Sequence, residues 1–449
     1  MVVFLAELNR TSKYRFISLN FSRNINMTQF SQLSDADFCA AIFDHVRSMS
    51  KDHEGVTRQG YGPLETQVLD YLEGIGRELN LEISKDAAGN VWMTLPGRDR
   101  TLPAVVSGSH ADSVPQGGNY DGLAGIVAAL TVARRMRREG VTPLRDYRVL
   151  MMRCEESSFF GKAYVGSLGM MGRLKESDLA LKHRTSGETL GECIASCGLD
   201  PKALTTGKPV IDTSRIAAFF ELHIEQGPTL TSQKDARTGI VTGIRGNIRH
   251  KEVKVVGETA HSGAVDKQYR HDAVMAAARL ISRMDDKWDE YLKHGEDLVF
   301  TVGVIKTAPT AAISVIPGLV TFTIDMRSLS EATCRAFHDD LVAEARKLAA
   351  ERGVRFEFDA PLFTAPAHVN EALANRLWES AQRAHLPVMR LPSGAGHDSA
   401  MLGNCGIPVA MIFVANQNGS HKPHEAMELS DFMKGADLLW HTVMDFDAA

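Results

Sequence analysis

Residues 105–125 combine side chains that can bind metal ions. An apolar run of strand length leads into His110 and Asp112, and Asp121 follows in a glycine-rich loop before an apolar helical pattern. One imidazole nitrogen of His110 can ligate a metal, while Asp112 can accept the other ring N–H and so select the tautomer. A carboxylate has two oxygens, so Asp121 can bridge two ions. A solvated loop is the alternative for this stretch alone.

Three further apolar strands, at 147–152, 216–222 and 407–414, are also followed by possible ligands. These ligands are Glu155 or Glu156, His223, and His421 with the nearby His424. Each of them alone could be a core histidine or a solvated surface group. In an α/β sheet, however, the carboxyl ends of parallel strands meet at one edge. The set then offers enough nitrogen and oxygen for two zinc-like ions that share one carboxylate.

The adjacent Glu155 and Glu156 can perform different tasks because consecutive side chains on an extended chain point in different directions. One can ligate a metal, and the other can act as general base toward a water whose pKa the metal lowers. The pattern therefore predicts metal-dependent hydrolysis at a carbonyl or ureido carbon.

The order of helical and strand patterns predicts an α/β fold with an insertion. At 449 residues the chain is too long for one ordinary core. We expect a catalytic domain, with a mixed sheet flanked by helices, formed by residues 27–243 and 364–449. Residues 244–363 predict a smaller α+β lid or dimerisation domain, with two helices and a four-stranded sheet that includes strands at 298–305 and 319–326. Residues 1–26 predict a disordered extension.

The composition excludes several partners. A net charge of −5 gives no reason to expect nucleic acid or an anionic membrane as partner. No apolar run approaches the roughly 18 residues of a membrane span. The six cysteines are scattered, which fits a reducing cytosol, so we expect a cytoplasmic protein.

Six motifs together resemble one family: GSHADSVPQGGNYDG, RCEESSFF, ELHIEQGP, AHSGAVDKQYRHDA, SGAGHDSAML and GSHKPHEAM. They look like the dinuclear metal hydrolases related to aminoacylases and carboxypeptidases. The His-Ile-Glu-Gln-Gly-Pro segment is most similar to the hydantoinase/carbamoylase branch. That branch contains N-carbamoyl-L-amino acid hydrolases, β-ureidopropionases and allantoate amidohydrolases, and the resemblance spans about residues 36–447.

The resemblance implies two divalent ions, zinc first, with manganese, cobalt or nickel also suited. It implies that His110 and His223 each cap a different ion, with Asp121 as the bridge. The remaining implied roles are Glu156 on one ion, His421 on the other, Glu155 as general base for a metal-bridging hydroxide, and Asp112 as the group that orients His110. A cis peptide bond between Asp121 and Gly122 is also expected.

The resemblance implies a substrate site as well. Gln226 is expected to bind the amide or ureido end, and Arg327 to hold the substrate carboxylate. His261 is expected to reach the partner's site in a homodimer and stabilise the oxyanion. The other expected pocket residues are Gly396, His397 and Asp398.

Two segments depart from the branch pattern. Ser314 stands where an asparagine usually helps to hold the carboxylate, and Ala264–Gln268 replaces a Thr-Pro-Met segment. The most favoured function is hydrolysis of an N-carbamoyl-L-amino acid. An allantoate-type ureide amidohydrolase, an aminoacylase or dipeptidase, and a catalytically silent metal-binding protein are the alternatives.

Overall fold

A computed structural model describes residues 32–447. The expected disordered extension, residues 1–26, lies outside the described residues.

The strands are named β1 to β18 in chain order. They are β1 (Lys51–Asp52), β2 (Gly55–Val56), β3 (Glu82–Lys85), β4 (Val91–Leu95), β5 (Ala104–His110), β6 (Tyr147–Met152), β7 (Ile216–Ile224), β8 (Thr238–Ile244), β9 (Gly246–Val256), β10 (Ala260–His261), β11 (Val299–Thr301), β12 (Ile305–Thr307), β13 (Val315–Ile316), β14 (Leu319–Ser328), β15 (Arg355–Phe358), β16 (Leu362–Thr364), β17 (Val388–Ser393) and β18 (Val409–Val414).

The α-helices are named in the same way. They are α1 (Asp35–Ser50), α2 (Pro63–Glu78), α3 (Leu123–Glu139), α4 (Val165–Met170), α5 (Glu176–Leu179), α6 (Leu190–Ser196), α7 (Ala273–Lys293), α8 (Glu331–Arg352), α9 (Glu371–Arg383), α10 (Asp398–Asn404) and α11 (Leu429–Met444). Among residues 32–447, none of the helices has both the length and the apolar character needed to cross a membrane.

The larger sheet has eight strands in the order β17-β8-β18-β7-β5-β6-β4-β3. Its four central strands, β18, β7, β5 and β6, run parallel, while β4 and β3 add to the edge antiparallel. Helix α3 is buried along nearly its whole length and packs against β5 and β7. Strands buried on both faces are typical of helix-covered parallel sheets, and β5 and β18 are buried at every position. This confirms the predicted mixed sheet flanked by helices.

The second sheet is antiparallel and takes its strands from residues 246–364. Its central order is β11-β14-β9-β15, with β12 beside β14 and β16 beside β9. It therefore has six strands, and the four-strand prediction was wrong. The run expected as one strand at 298–305 is divided into β11 and β12 around Gly303, and β16 is too short to leave a clear alternating pattern. Helices α7 and α8 cover one face of this sheet, where apolar side chains alternate into a separate core.

Strands β8 and β17 were not predicted from the sequence. Strand β8 reads TGIVTGI, with two glycines, and β17 contains a proline, so both have weak strand propensity. Their place in the sheet comes from pairing: β17 runs parallel to β8, and β8 runs antiparallel to β18.

Candidate metal centre and active site

The candidate ligands lie at the carboxyl ends of the four central parallel strands. His110 is the last residue of β5, His223 lies near the end of β7, and Glu155 and Glu156 follow β6. His421 lies in the loop after β18. Because β18, β7, β5 and β6 are consecutive neighbours in the sheet, their ends deliver these side chains to one cavity of about 210 Å3.

Asp121 lies at the centre of two groups of possible metal ligands. Its Oδ1 is 3.3 Å from His110 Nε2 and 3.1 Å from His223 Nε2. Its Oδ2 is 3.5 Å from His421 Nε2, which is itself 3.1 Å from Glu156 Oε1. One carboxylate therefore presents each of its oxygens to a different set of side chains.

This grouping corrects the expected division of ligands. His110 and His223 were expected on different ions, but both rings point at the same oxygen of Asp121 and belong to one group. Glu156 and His421, also expected on different ions, form the second group with Asp121. The reason lies in strand order: β5 and β7 are direct neighbours, so their terminal histidines meet.

The first group fits a metal ion on the chemistry of its donors. His223 Nδ1 lies 2.9 Å from the Ile224 carbonyl oxygen, which can only accept, so this nitrogen carries the hydrogen. The lone pair of His223 Nε2 then faces Asp121 Oδ1 at 3.1 Å, and the same nitrogen accepts the Gly122 N–H at 3.2 Å. Lone pairs that converge in a buried site repel one another unless a cation or proton lies between them. The residues therefore suit a divalent ion held by nitrogen and oxygen donors.

Asp112 holds the ligand-bearing segments together. It is fully buried, and its Oδ1 lies 3.3 Å from His110 Nδ1, longer than a typical N–H···O bond of about 2.9 Å. The same oxygen accepts the Glu155 N–H at 2.9 Å, and Oδ2 accepts the Glu156 N–H at 3.0 Å. Asp112 therefore faces the expected histidine and also anchors the backbone of both glutamates, which the sequence did not predict.

A buried ion pair positions the turn before Glu155. Cys154 has a positive φ of 50°, and its N–H donates to Glu65 Oε1 at 2.9 Å. The other oxygen of Glu65 accepts from Arg153 Nε at 2.7 Å. The turn directs Glu155 into the cavity, where no hydrogen bond within the described residues holds its carboxyl group.

The electrostatics of the site favour proton exchange. Burial raises the pKa of Glu155 well above its usual range, the positive charge of His110 opposes this rise, and the neighbouring Glu156 adds to it. Hydrogen bonds that the His421 ring donates to the carboxylates of Asp121 and Glu156 raise the pKa of His421 to about 11. Protons and a metal ion compete for such lone pairs, so metal affinity at this site must depend on pH.

The peptide bond after Asp121 is trans, since no cis peptide bond occurs in residues 32–447, so the expected cis bond was wrong. Gly122 instead makes the turn with φ of 68°. A Cβ at this position would lie 2.5 Å from His110 Nδ1, so the turn needs glycine.

Further residues that the sequence selected also line the cavity. Gln226 donates from Nε2 to Asp121 Oδ2 at 2.7 Å, and its Oε1 is buried without a partner among the described residues. His397 packs edge-on against His223 with ring centroids 4.5 Å apart, and burial together with His223 holds the pKa of His397 well below its usual range. Gly396 faces Tyr164, whose hydroxyl would be 1.7 Å from an added Cβ.

Asp398 follows His397 at the start of α10 and is not part of the cavity lining. Its Oδ1 accepts from Ser167 Oγ at 2.5 Å, and burial raises the pKa of its carboxyl group to about 7. Asp398 therefore lies behind the pocket rather than in it.

Arg327 lines the cavity from the second sheet, but a carboxylate of the same chain engages it. Its Nε and Nη2 donate to Asp325 at 3.0 and 2.9 Å, and Nη1 donates to the Gly394 carbonyl at 2.5 Å. Arg249 also lines the cavity and shares Asp325. The sequence did not predict Arg249, although its place in the alternating pattern of β9 is a signal that it shares a sheet face with Arg327.

The structure does not bring His261 and Ser314 into this cavity. They lie together where β10 pairs with β13, and both side chains are exposed. His261 Nδ1 accepts the N–H groups of Gly263 and Ala264, so Nε2 carries the hydrogen and points away from this turn.

Two supporting residues lie in the GSHKPHEAM motif, but their roles were not predicted from the sequence. Glu425 accepts the N–H groups of Tyr120 and Asp121, and Ser420 donates to both Glu425 and Asp121. Burial raises the pKa of Glu425 to about 7, and Asp121 adds to this rise. Only the folded chain shows that a residue after β18 holds the backbone of the Asp121 loop.

The model of peptidase family M20/M25/M40 matches residues 106–445. The chain belongs to this family. Its ligand-bearing loops, from His110 to His421, all lie within the matched region.

Named relatives cover most of the chain. An N-carbamoyl-L-amino acid amidohydrolase of Geobacillus stearothermophilus is 33% identical over 87% of this chain and 93% of its own length. An allantoate amidohydrolase of Escherichia coli is 33% identical over 86% of this chain and 91% of its own. A solved structure of a hydantoinase/carbamoylase family amidase from Burkholderia multivorans has a TM-score of 0.83 and 28% identity, covering 91% and 97% of the two chains. The family fold and the resemblance inferred from the motifs are thereby confirmed.

Proposed function

We propose that this protein is a dinuclear metal-dependent amidohydrolase that cleaves a linear ureido C–N bond, most favourably that of an N-carbamoyl-L-amino acid. The observation that carries this proposal is the position of Asp121, whose two oxygens face two separate ligand groups. Two divalent ions held there would supply Lewis-acid activation of the carbonyl group and of water. Zinc is the first expectation for these donors, with manganese, cobalt or nickel also suited.

Glu155 is proposed as the general base. Its carboxyl group is buried beside both ligand groups, and it lines the cavity without a hydrogen-bond partner among the described residues. It would take the proton from the attacking water and pass it to the leaving nitrogen. The products are a free amino acid and carbamate, and the carbamate decomposes to carbon dioxide and ammonia.

Gln226 is proposed to recognise the ureido end. Its amide Nε2 is engaged by Asp121, so its unpartnered Oε1 is available to accept an N–H from the substrate. A buried acceptor without a partner costs free energy until a ligand satisfies it. This requirement favours a ureido group over an ester or a hydrocarbon.

Relatives named allantoate amidohydrolase and ureidoglycolate hydrolase keep a second candidate open. The exposed Ser314, in place of the branch asparagine, supports a substrate other than a standard N-carbamoyl amino acid. An aminoacylase or dipeptidase, or a metal-binding protein without turnover, would be distinguished by the same experiment.

A hydrolysis panel tests the reaction. The metal-loaded enzyme is incubated with N-carbamoyl-L-amino acids, allantoate, N-acetyl amino acids and dipeptides, and ammonia release is measured. The Glu155→Gln variant should retain its metal and lose about 10²–10⁴-fold in kcat. Release of amino acid without ammonia would indicate an aminoacylase or dipeptidase instead, and unchanged turnover in Glu155→Gln would exclude this residue as base.

The protein is also proposed to act as a homodimer in which His261 completes the neighbouring site. The exposed Nε2–H of His261 is a free donor that lies outside the cavity of its own chain, which supports a role on an oxyanion elsewhere. The six cysteines are free thiols, which supports the proposed cytoplasmic location.

Complementation tests the dimer. His261→Ala and Glu155→Gln should each be inactive, but a mixed dimer would contain one site with neither defect. Random mixing of equal amounts makes half of the dimers mixed, so about a quarter of wild-type activity should return. A mixture as inactive as its parents would exclude the cross-subunit role.

A further inference from the structure

Two arginines of the second sheet lie side by side at the cavity. Strand β9 pairs antiparallel with β14, with Arg249 opposite Asp325 and Asn247 opposite Arg327. Residues at these positions lie on the face of the sheet that α7 and α8 leave uncovered. Arg249 and Arg327 both line the cavity that contains the metal-ligand groups.

Asp325 joins the two guanidinium groups. Its Oδ2 accepts from Arg249 Nε and from Arg327 Nη2, each at 2.9 Å, and its Oδ1 accepts from Arg327 Nε at 3.0 Å. The carboxylate offsets the repulsion between two like charges and sets the plane of the Arg327 fork. Arg249 uses only its Nε in this way, and no hydrogen bond within the described residues engages its Nη1 or Nη2.

The charges of this group are not balanced. Two arginines and one aspartate leave one positive charge, and a neighbouring cavity of about 270 Å3, lined by both arginines, has no acidic residue in its lining. Arg245 also lines that cavity, but Asp297 neutralises it through contacts at 2.5 and 2.9 Å. One carboxylate of a ligand would therefore neutralise the Arg249–Asp325–Arg327 group.

We propose that Arg249 and Arg327, held together by Asp325, form a two-arginine clamp for a single carboxylate of the substrate. Arg249 is then a specificity-determining residue, and Asp325 is a positioning residue. This inference rests on the proposed function and refines it, since it assigns carboxylate recognition to a pair of arginines within one chain. The exposed Ser314 lies outside the cavity of its own chain.

Binding measurements separate this role from a structural one. The metal-loaded Glu155→Gln protein is titrated calorimetrically with N-carbamoylglycine and with its neutral analogue N-carbamoylglycinamide. Adding Arg249→Met should weaken acid binding about tenfold or more, equivalent to about 1.4 kcal/mol, and leave amide binding unchanged. Arg249→Lys should fall between, because it keeps the charge but loses the planar fork. In the active enzyme, Arg249→Met should raise KM for acids more than it lowers kcat.

Two variants serve as comparisons. Arg355→Met removes an exposed arginine from the same sheet, one that pairs with Glu357 away from both cavities, and should change neither affinity. Asp325→Asn should weaken acid binding, because the arginines would then repel each other. Arg355→Met also shows whether loss of any positive charge on this sheet has the same effect.

The outcomes distinguish the two proposals. If the enzyme hydrolyses ureido acids and Arg249→Met leaves its preference for acids over amides unchanged, the clamp is overturned and the proposed function stands. Arg249-dependent acid binding without turnover of any ureido compound would support the clamp and overturn the function. If Arg249→Met weakens the binding of acid and amide equally, Arg249 has a structural role only. If the parent protein binds acid no more tightly than amide, the clamp is overturned.

Discussion

Replacement of Asp112 by asparagine should weaken metal binding without removing a metal ligand. Asparagine has the same shape but only one acceptor oxygen. If that oxygen keeps the Glu155 N–H and faces His110, the new amide NH2 opposes the Glu156 N–H, donor against donor. A hydrogen bond to a charged acceptor is worth about 1.5–3 kcal/mol. Loss of an outer partner of a ligating histidine typically costs 10–100-fold in metal affinity, or about 1.4–2.7 kcal/mol.

The assay is competition for zinc with a chromophoric chelator, using folded protein at neutral pH. Asp86→Asn is the control, because Asp86 also accepts two backbone N–H groups, those of Ala88 and Asn90, but does not line the cavity of the candidate ligands. That control should lower the free energy of unfolding and leave zinc affinity unchanged. Zinc affinity of Asp112→Asn within twofold of wild type would refute the anchoring role.

Two further substitutions test the packing and the titration of groups outside the ligand set. Gly396→Ala should abolish turnover while metal stays bound, because its Cβ would lie 1.7 Å from the Tyr164 hydroxyl. Gly394→Ala is the control and should be tolerated, because its Cβ would have no atom nearer than 3.6 Å. A normal kcat in Gly396→Ala would contradict this geometry. Burial and the adjacent His250 lower the pKa of His338, so the unfolded chain takes up a proton below pH 6.5 that the folded chain resists. Chemical unfolding measures the free energy of unfolding of the wild type and of His338→Asn. The wild-type value relative to the variant should fall as the pH drops from 8 to 5, and a difference that does not depend on pH would contradict the lowered pKa of His338.

Much of the fold could be predicted because its elements have strong local signals. Strand β6 was predicted at its observed bounds, residues 147–152, and β18 lies within the strand predicted at 407–414. Both are nearly continuous apolar runs of strand length. Strands β8 and β17 were missed because glycine, threonine and proline weaken that signal, and only pairing with β18 and with each other defines them.

The types of the site residues could likewise be predicted from the chain, since each candidate ligand lies at the end of a buried strand or in the loop that follows it. Their partners could not. The sequence did not indicate that His110 and His223 would meet on one oxygen of Asp121, because that follows from the adjacency of β5 and β7.

The sequence by itself determined the donor chemistry of this protein: imidazole and carboxylate groups at strand ends, and a glutamate free to act as a base. The tertiary structure decided how those donors divide into two groups, that Asp112 holds the backbone of two glutamates and faces a histidine, and that Arg249 joins Arg327 in the lining of the same cavity. The local sequence determines which side chains a strand or loop can place at the edge of the sheet. Strand order and cross-strand register, which bring together residues far apart in the chain, decide which of them come within bonding distance.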